Sequence, residues 1–299
     1  MRLDGVLFFP VTPFAADGTV AEAVLAEHVG RGVAAGAGGV FTACGTGEFN
    51  ALGLDDYRQV VRASVAATAG RVPVFSGAGG VQARAHARVA AEEGADGLLV
   101  FPPYLVSSPI DGLVGYVREL AEETDLPVVV YQRGTARFTP EAVARLVEVP
   151  NVTGFKDGLG DLDLLQRIIL TVRQATDREF AFFNGLPTAE LTVPAYRGLG
   201  VNLYSSAVFA FAPEIALAFY KAVTSGDDTL TQALLTHFYL PLVRLRDLQP
   251  GYAVSLVKAG VRLSGLDVGG VRAPLLDPGP EHVAELERII TAGREIAAP

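Results

Sequence analysis

The sequence predicts an α/β fold: a (β/α)₈ TIM barrel carrying a C-terminal helical extension. Three observations lead there. Short, β-rich apolar runs alternate with longer Ala-rich stretches of helical period. Eight such runs begin near residues 6, 39, 72, 97, 128, 152, 180 and 201, so that seven intervals average about 28 residues, the size of one βα unit. Most runs are apolar on both faces rather than alternating, which is how strands of a helix-covered parallel sheet read.

In chain order, the run at 6–9 opens the pattern. Amphipathic stretches over 20–35, 55–69, 81–93, 110–124, 140–148 and 161–175 then separate the runs at 39–43, 72–76, 97–101, 128–131, 152–156 and 180–183, and 201–204 closes the set. Thr139-Pro140-Glu141 has the capping residue and first-turn proline of a helix start. Gly36, Gly70 and Gly94 suit helix C-terminal stops. A doubly wound open sheet is the alternative, but it normally carries a Gly-rich phosphate loop after an early strand. Here Gly36-Ala37-Gly38-Gly39 precedes a strand instead. The barrel is assigned to 1–210. Residues 211–299 are helical in pattern and read as the eighth barrel helix and an extension packed on the barrel.

Composition narrows the function classes. The 299 residues are 50% apolar and 19% charged, enough apolar material for one large core, so disorder is excluded as the main state. A net charge of −9 argues against a nucleic-acid groove, which needs clustered positive charge. The single cysteine, Cys44, excludes an internal disulfide framework or a thiolate metal cluster. Asp4 interrupts the N-terminus, so no signal peptide is expected. No apolar stretch approaches the roughly 18 residues of a membrane span. The expected compartment is the cytoplasm.

One count matters more than the totals. Of the 24 basic residues only three are lysines, Lys156, Lys221 and Lys258. In a barrel, chemistry gathers at the C-terminal ends of the strands, where the βα loops converge. Lys156 alone among the three ends a predicted strand, with Gly154 on the same face leaving space beside its stem. Making its neutral amine at pH 7 costs roughly 4–5 kcal/mol in water, and a desolvated site supplies part of that, giving a nucleophile able to form a Schiff base. A structural lysine salt-bridged to Asp157 is the other reading. Lys221 and Lys258 fall in the helical tail and read as structural, and Lys221 shortly precedes Gly226, where a positive charge suits a helix end.

Other strand ends add partners. Tyr131 ends the strand before Lys156, and neighbouring strands lie about 4.8 Å apart, so phenol and amine can meet. A phenol there relays protons during carbinolamine formation and dehydration; an aromatic cap on the core is the alternative. Gly45-Thr46-Gly47-Glu48 fits either a carboxylate-binding turn, with amides and the Thr46 hydroxyl as donors, or an ordinary tight turn with Glu48 as a buried acceptor. Arg133 offers a planar fork for a second carboxylate, or a surface ion pair. Asn184 and Ser206 end the seventh and eighth strands, and Tyr104 follows the fourth. Cys44 reads as a small buried hydrophobe. His28, His86, His237 and His282 show no metal spacing.

Together these strand ends resemble the dihydrodipicolinate synthase / N-acetylneuraminate lyase superfamily, from Pro10-Val11-Thr12-Pro13-Phe14 to the tail. Phe8 to Phe14, Gly45-Thr46-Gly47-Glu48-Phe49, Phe101-Pro102-Pro103-Tyr104-Leu105 and Gly154-Phe155-Lys156-Asp157-Gly158-Leu159-Gly160-Asp161 look most like its 5-dehydro-4-deoxyglucarate dehydratase branch. The wider superfamily has G-[ST]-T-G-E, one residue longer than the turn here, which favours that branch. Many members carry asparagine where this chain has Gln132. The resemblance implies a barrel with Lys156 as the Schiff-base lysine, Tyr131 and Tyr104 as catalytic tyrosines, and Gly45, Thr46, Gly47, Arg133, Asn184 and Ser206 as substrate-binding residues. It implies no metal and no cofactor, a small keto sugar diacid as substrate, and a homotetramer built as a dimer of dimers. The reaction it implies is dehydration and decarboxylation to 2,5-dioxopentanoate. A pyruvate-dependent aldolase and a non-catalytic keto-acid-binding protein are the alternatives; retention of both Lys156 and Tyr131 argues against the latter.

Overall fold

The computed structural model describes residues 3–103 and 105–298. Eight parallel strands close into a barrel in sequence order: β1 (Leu7–Phe8), β2 (Gly39–Thr42), β3 (Val74–Ala78), β4 (Gly97–Val100), β5 (Val128–Gln132), β6 (Val152–Asp157), β7 (Ala181–Asn184) and β8 (Leu203–Ser206), with β8 pairing back onto β1. Every strand falls on one of the apolar runs. Alternation along each strand sorts the core into two parts. Leu7, Phe9, Phe41, Phe75, Leu99, Val129 and Phe183 fill the barrel interior, while a larger cluster including Phe8, Val40, Leu98, Val130 and Phe155 lies between barrel and helices. Inside, the rings of Phe9, Phe41 and Phe75 stack in a column, with centroids 4.8 and 4.9 Å apart and planes 16° from parallel at both contacts. The barrel is therefore a packed core, not a pore.

The first six crossover helices are α1 (Glu22–Ala35), α2 (Leu54–Thr68), α3 (Ala83–Glu92), α4 (Ile110–Ala121), α5 (Pro140–Val147) and α6 (Leu162–Ala175). Thr139 caps α5 by accepting from the Ala142 amide at 3.2 Å, with Pro140 as first helical residue. Gly36 ends α1 in the left-handed region at φ 105°. The stop of α2 comes one residue earlier than expected, on Ala69 at φ 50°, just before Gly70.

After β7 a short 3-10 turn (Ala189–Thr192) leads into α7 (Val193–Gly198), and α8 (Pro213–Ser225) follows β8. The rest of the chain forms α9 (Asp228–Leu234), a π-helical turn (Leu235–Tyr239), α10 (Leu240–Arg246), α11 (Tyr252–Leu263) and α12 (Pro280–Ala297). The segments from 228 to 246 run on as one helical rod, and α12 packs across it, α8 and α11. Among the described residues no helix is long and apolar enough to cross a membrane.

Candidate active site

The last two residues of β5 and β6 build the centre of the site. Tyr131 lies opposite Lys156, and Gln132 opposite Asp157. Alternation sends Tyr131 and Lys156 inward and their neighbours outward. Asp157 is spent on the outer layer, where it accepts from Gln132 Nε2 at 3.0 Å, from the Leu159 and Gly160 amides and from the Tyr196 hydroxyl. Gln132 in turn accepts from the Phe138 amide at 2.7 Å, fixing the loop after β5. The salt bridge between Lys156 and Asp157 is therefore not formed.

Lys156 is left without a counter-ion. Its side chain is 4% exposed, and its Nζ sits 4.3 Å from the centroid of the Phe9 ring and 4.7 Å from that of Tyr131. Among the described residues it makes no ion pair. Desolvation pulls its pKa down to about 7, and the Arg133 guanidinium pushes the same way. A Cys44 thiolate would oppose this, but burial pushes the Cys44 thiol up to about 12, so it is neutral at pH 7 and supplies no negative charge. An unperturbed lysine is a free amine in roughly one molecule in two thousand at pH 7; here the downward shift makes the free amine far more abundant.

Tyr131 donates to the Gly185 carbonyl at 2.7 Å and accepts from Arg133 Nη1 at 3.3 Å. Its hydroxyl is thus wired to the loop after β7 on one side and to a cation on the other. Burial raises the phenol pKa, and Arg133 opposes the rise. Gly185 has to be glycine: a Cβ there would come within 2.7 Å of Lys156 Cγ and Cε and 2.8 Å of Tyr131 Cε2. This close approach holds the amine and phenol together.

A cavity of about 250 Å³ opens over these groups, and Lys156, Tyr131, Arg133, Gly45, Thr46 and Ser205 line it. Gly47 does not reach it. The Gly47 carbonyl is bound by Thr12 Oγ1 at 2.7 Å, and a Cβ on it would meet Pro10 and Thr12, so Gly47 sets the turn that presents Gly45 and Thr46. Asn184 and Ser206 stand elsewhere than expected, because the pleat turns both outward. Asn184 Nδ2 donates to the Ala189 carbonyl and Thr192 Oγ1, and its Oδ1 holds the Leu186 amide. Ser206 donates to Glu190 Oε1 at 2.6 Å and accepts from the Phe209 amide. Its neighbour Ser205 is the one that faces the cavity. Tyr104 lies outside the described residues.

Two charged groups in the cavity wall carried no signal in the sequence. Arg246, on α10, lines the cavity and is held by the Pro187 carbonyl, Thr188 Oγ1 and Asp247. Glu190, in the 3-10 turn, lies in the same wall. Lys258, expected only to serve a helix, forms a fully buried ion pair with Glu48 at 2.7 Å and rests 4.1 Å from the Phe14 ring centroid. Glu48 also takes the Arg272 amide at 2.8 Å, so the turn after β2 is pinned to the tail. The Glu48 alternative of a buried acceptor is the one realised.

The chain is similar to known proteins over nearly its whole length. Residues 2–293 match the model of the dihydrodipicolinate synthetase family. A probable 5-dehydro-4-deoxyglucarate dehydratase of Streptomyces griseus subsp. griseus is 58% identical over 98% of this chain and 93% of its own length. One from Azotobacter vinelandii is 43% identical over 96% of this chain and 94% of its own. Among solved structures, YagE of E. coli K12, a prophage protein of the dihydrodipicolinic acid synthase family crystallised in complex with pyruvate, is 25% identical and superposes with a TM-score of 0.86 over 98% of this chain and 99% of that one. The closed barrel, the lysine and tyrosine at its mouth and these near full-length matches place the chain in the dihydrodipicolinate synthetase family.

Proposed function

We infer that this chain is a decarboxylating hydro-lyase, converting 5-dehydro-4-deoxy-D-glucarate to 2,5-dioxopentanoate, CO₂ and water. The observation that carries the reading is the unpaired, buried amine of Lys156 beside the Tyr131 phenol, in a chain 58% identical to a probable dehydratase of that name.

The amines and donors divide the work by position. Thr46, the amides of its turn and Ser205 hold the carboxylate next to the substrate ketone, and Arg133 at the rim takes the distal one. Lys156 attacks C5 and Tyr131 relays the protons that turn the carbinolamine into an iminium. Tyr104 is proposed to complete this relay. The iminium acidifies C4–H, and loss of the C3 hydroxyl leaves a conjugated alkene. The extended cation then accepts the C1–C2 electron pair, so CO₂ departs. Protonation at C4, tautomerisation and hydrolysis release the product and the free amine. Both electron pairs flow toward one nitrogen, so a single lysine serves dehydration and decarboxylation.

A cytoplasmic homotetramer built as a dimer of dimers belongs to the same reading. Support for association comes from Val81, Leu105 and Val106, apolar side chains that are 96%, 87% and 56% exposed on the chain alone.

Borohydride trapping with pyruvate and with 5-dehydro-4-deoxyglucarate, followed by peptide mapping and CO₂ measurement, tests the proposal. An adduct on Lys156 with CO₂ release is expected. Pyruvate release without CO₂ would make the protein an aldolase, and an adduct on another lysine would remove the Schiff-base assignment.

A further inference from the structure

The turn after β2, which brings Gly45 and Thr46 to the cavity, is soft by composition and is held from outside. Gly45 and Gly47 are both glycine, and nothing lies within 4 Å of where a Cβ on Gly45 would sit. The turn closes on itself through two backbone bonds of 3.1 Å, from the Glu48 amide to the Gly45 carbonyl and from the Phe49 amide to the Cys44 carbonyl. Further pins reach it from distant parts of the chain. Thr12 Oγ1 donates to the Gly47 carbonyl on one side. On the other, Glu48 stands in the left-handed region at φ 57°, which residues other than glycine seldom adopt. Its carboxylate is gripped twice: Lys258 Nζ from α11 donates to Oε1 at 2.7 Å, and the Arg272 amide to Oε2 at 2.8 Å. Neither partner of the ion pair has any exposed surface. The Arg272 side chain is anchored beside the turn, donating to the Ala51 carbonyl at 2.7 Å, to Asp56 at 2.5 Å and to the Gly18 carbonyl at 2.6 Å. The Phe14 ring lies against both cations, with its centroid 4.1 Å from Lys258 Nζ and 4.0 Å from Arg272 Cζ.

The donors this turn offers a carboxylate are largely backbone amides, and an amide is aimed only by fixing the backbone that carries it. Resting on the reading that Thr46 and these amides hold the carboxylate beside the substrate ketone, we propose that Glu48 and Lys258 are positioning residues of that grip. Neither lines the cavity, and Lys258 is spent on Glu48. Their ion pair holds the Glu48 backbone in its left-handed conformation and, with Thr12 on Gly47, keeps Gly45 and Thr46 turned toward the cavity. The pair also ties the turn to another part of the wall. The α11 helix lines the cavity through Tyr252, Leu256 and Val257, and Lys258 is the next residue along. One helix thus shapes the chamber and, through Lys258, aims the carboxylate grip. The signature of such a role is selective. Loosening the pair weakens capture of a ligand that brings a carboxylate next to its ketone, and leaves the Lys156 amine as reactive as before toward a ketone without one. A pair that served the fold alone would affect both ligands alike.

The test is the double variant Glu48→Gln with Lys258→Met, which removes both charges and keeps an oxygen for the Arg272 amide. Cyanoborohydride trapping on Lys156 is followed at low ligand concentration, once with pyruvate and once with acetone, the same ketone with a methyl group in place of the carboxylate. Rates are referred to the amount of folded protein, read by circular dichroism. The adduct is expected with both ligands, the pyruvate rate falling by about tenfold or more and the acetone rate staying as in the unsubstituted protein. An unchanged pyruvate rate would overturn the positioning role, and an equal fall with both ligands would do the same by marking the pair as structural. Should the double variant fail to fold, Glu48→Gln alone decides by the same two rates: a fall confined to pyruvate supports the role, and any other result removes it. An unsubstituted protein that traps pyruvate no faster than acetone would remove the carboxylate grip itself, and with it that part of the proposed function. That result is distinct from a variant whose pyruvate rate is unchanged.

Discussion

Two lysines are buried in this protein, and they differ in one respect that decides their chemistry. Lys258 has a carboxylate 2.7 Å away and no exposed surface on either partner; Lys156 has two aromatic rings and no counter-ion. Both lose hydration, and desolvation lowers both pKa values. At Lys258 the hydrogen bond and charge of Glu48 oppose that drop, and the ion pair clamps the turn after β2 to α11. At Lys156 nothing comparable opposes it, so the amine is available. Burial alone does not make a nucleophile. Burial without a partner does.

The largest expected effect comes from Lys156→Ala, which should lower turnover by about 10⁴-fold or more and abolish the borohydride adduct while the protein stays folded. Full turnover in that variant would erase the distinction between the two lysines. Next, Lys258→Met leaves Glu48 as an unpaired buried charge and should destabilise the fold by about 3–5 kcal/mol in denaturant unfolding. Pairing it with Glu48→Gln, which is neutral and still accepts from the Arg272 amide, should recover much of the loss. The adduct on Lys156 should survive in both.

Stability against pH separates the two sites further. The folded pKa of Lys156 is lowered to about 7, so between pH 7 and the unfolded value near 10.4 the unfolded chain binds more protons, and stability rises with pH across that window. Below pH 7 the full penalty is present, on the order of 5 kcal/mol at most. Lys156→Met should therefore be more stable than the parent at pH 6, with the gap closing toward pH 10. A constant gap would mean that the amine is not depressed. The smallest effect, about 10²-fold in turnover, is expected of Tyr131→Phe, with slower trapping of pyruvate but an adduct still on Lys156.

Much of this could be read from residues alone, and the limits have physical causes. The strands stood out because a sheet covered on both sides selects continuous apolar runs, and Lys156 because it is the one lysine that ends such a run. Tyr131 followed from strand adjacency. The pleat was where reading stopped: adjacent positions point to opposite sides, and a one-residue difference in where a short strand starts exchanges Ser205 for Ser206 and turns Asn184 away from the cavity. The Lys258–Glu48 pair joins positions 210 apart, and no local pattern announces it. Glu190 sits in a 3-10 turn with no periodicity to place it, and Arg246 reaches the cavity from a helix outside the barrel.

The stacked rings of Phe9, Phe41 and Phe75 have a kinetic consequence. They fill the barrel beneath Lys156, so substrate approaches the amine from the mouth. Substrate enters and both carbon products leave by the same route, and the chamber must empty before it can be refilled. The dioxo acid keeps the carboxylate and the adjoining ketone by which its parent is held, so it competes for the same anchor. A build-up of product should therefore throttle the enzyme competitively, raising the apparent KM while leaving the limiting rate intact.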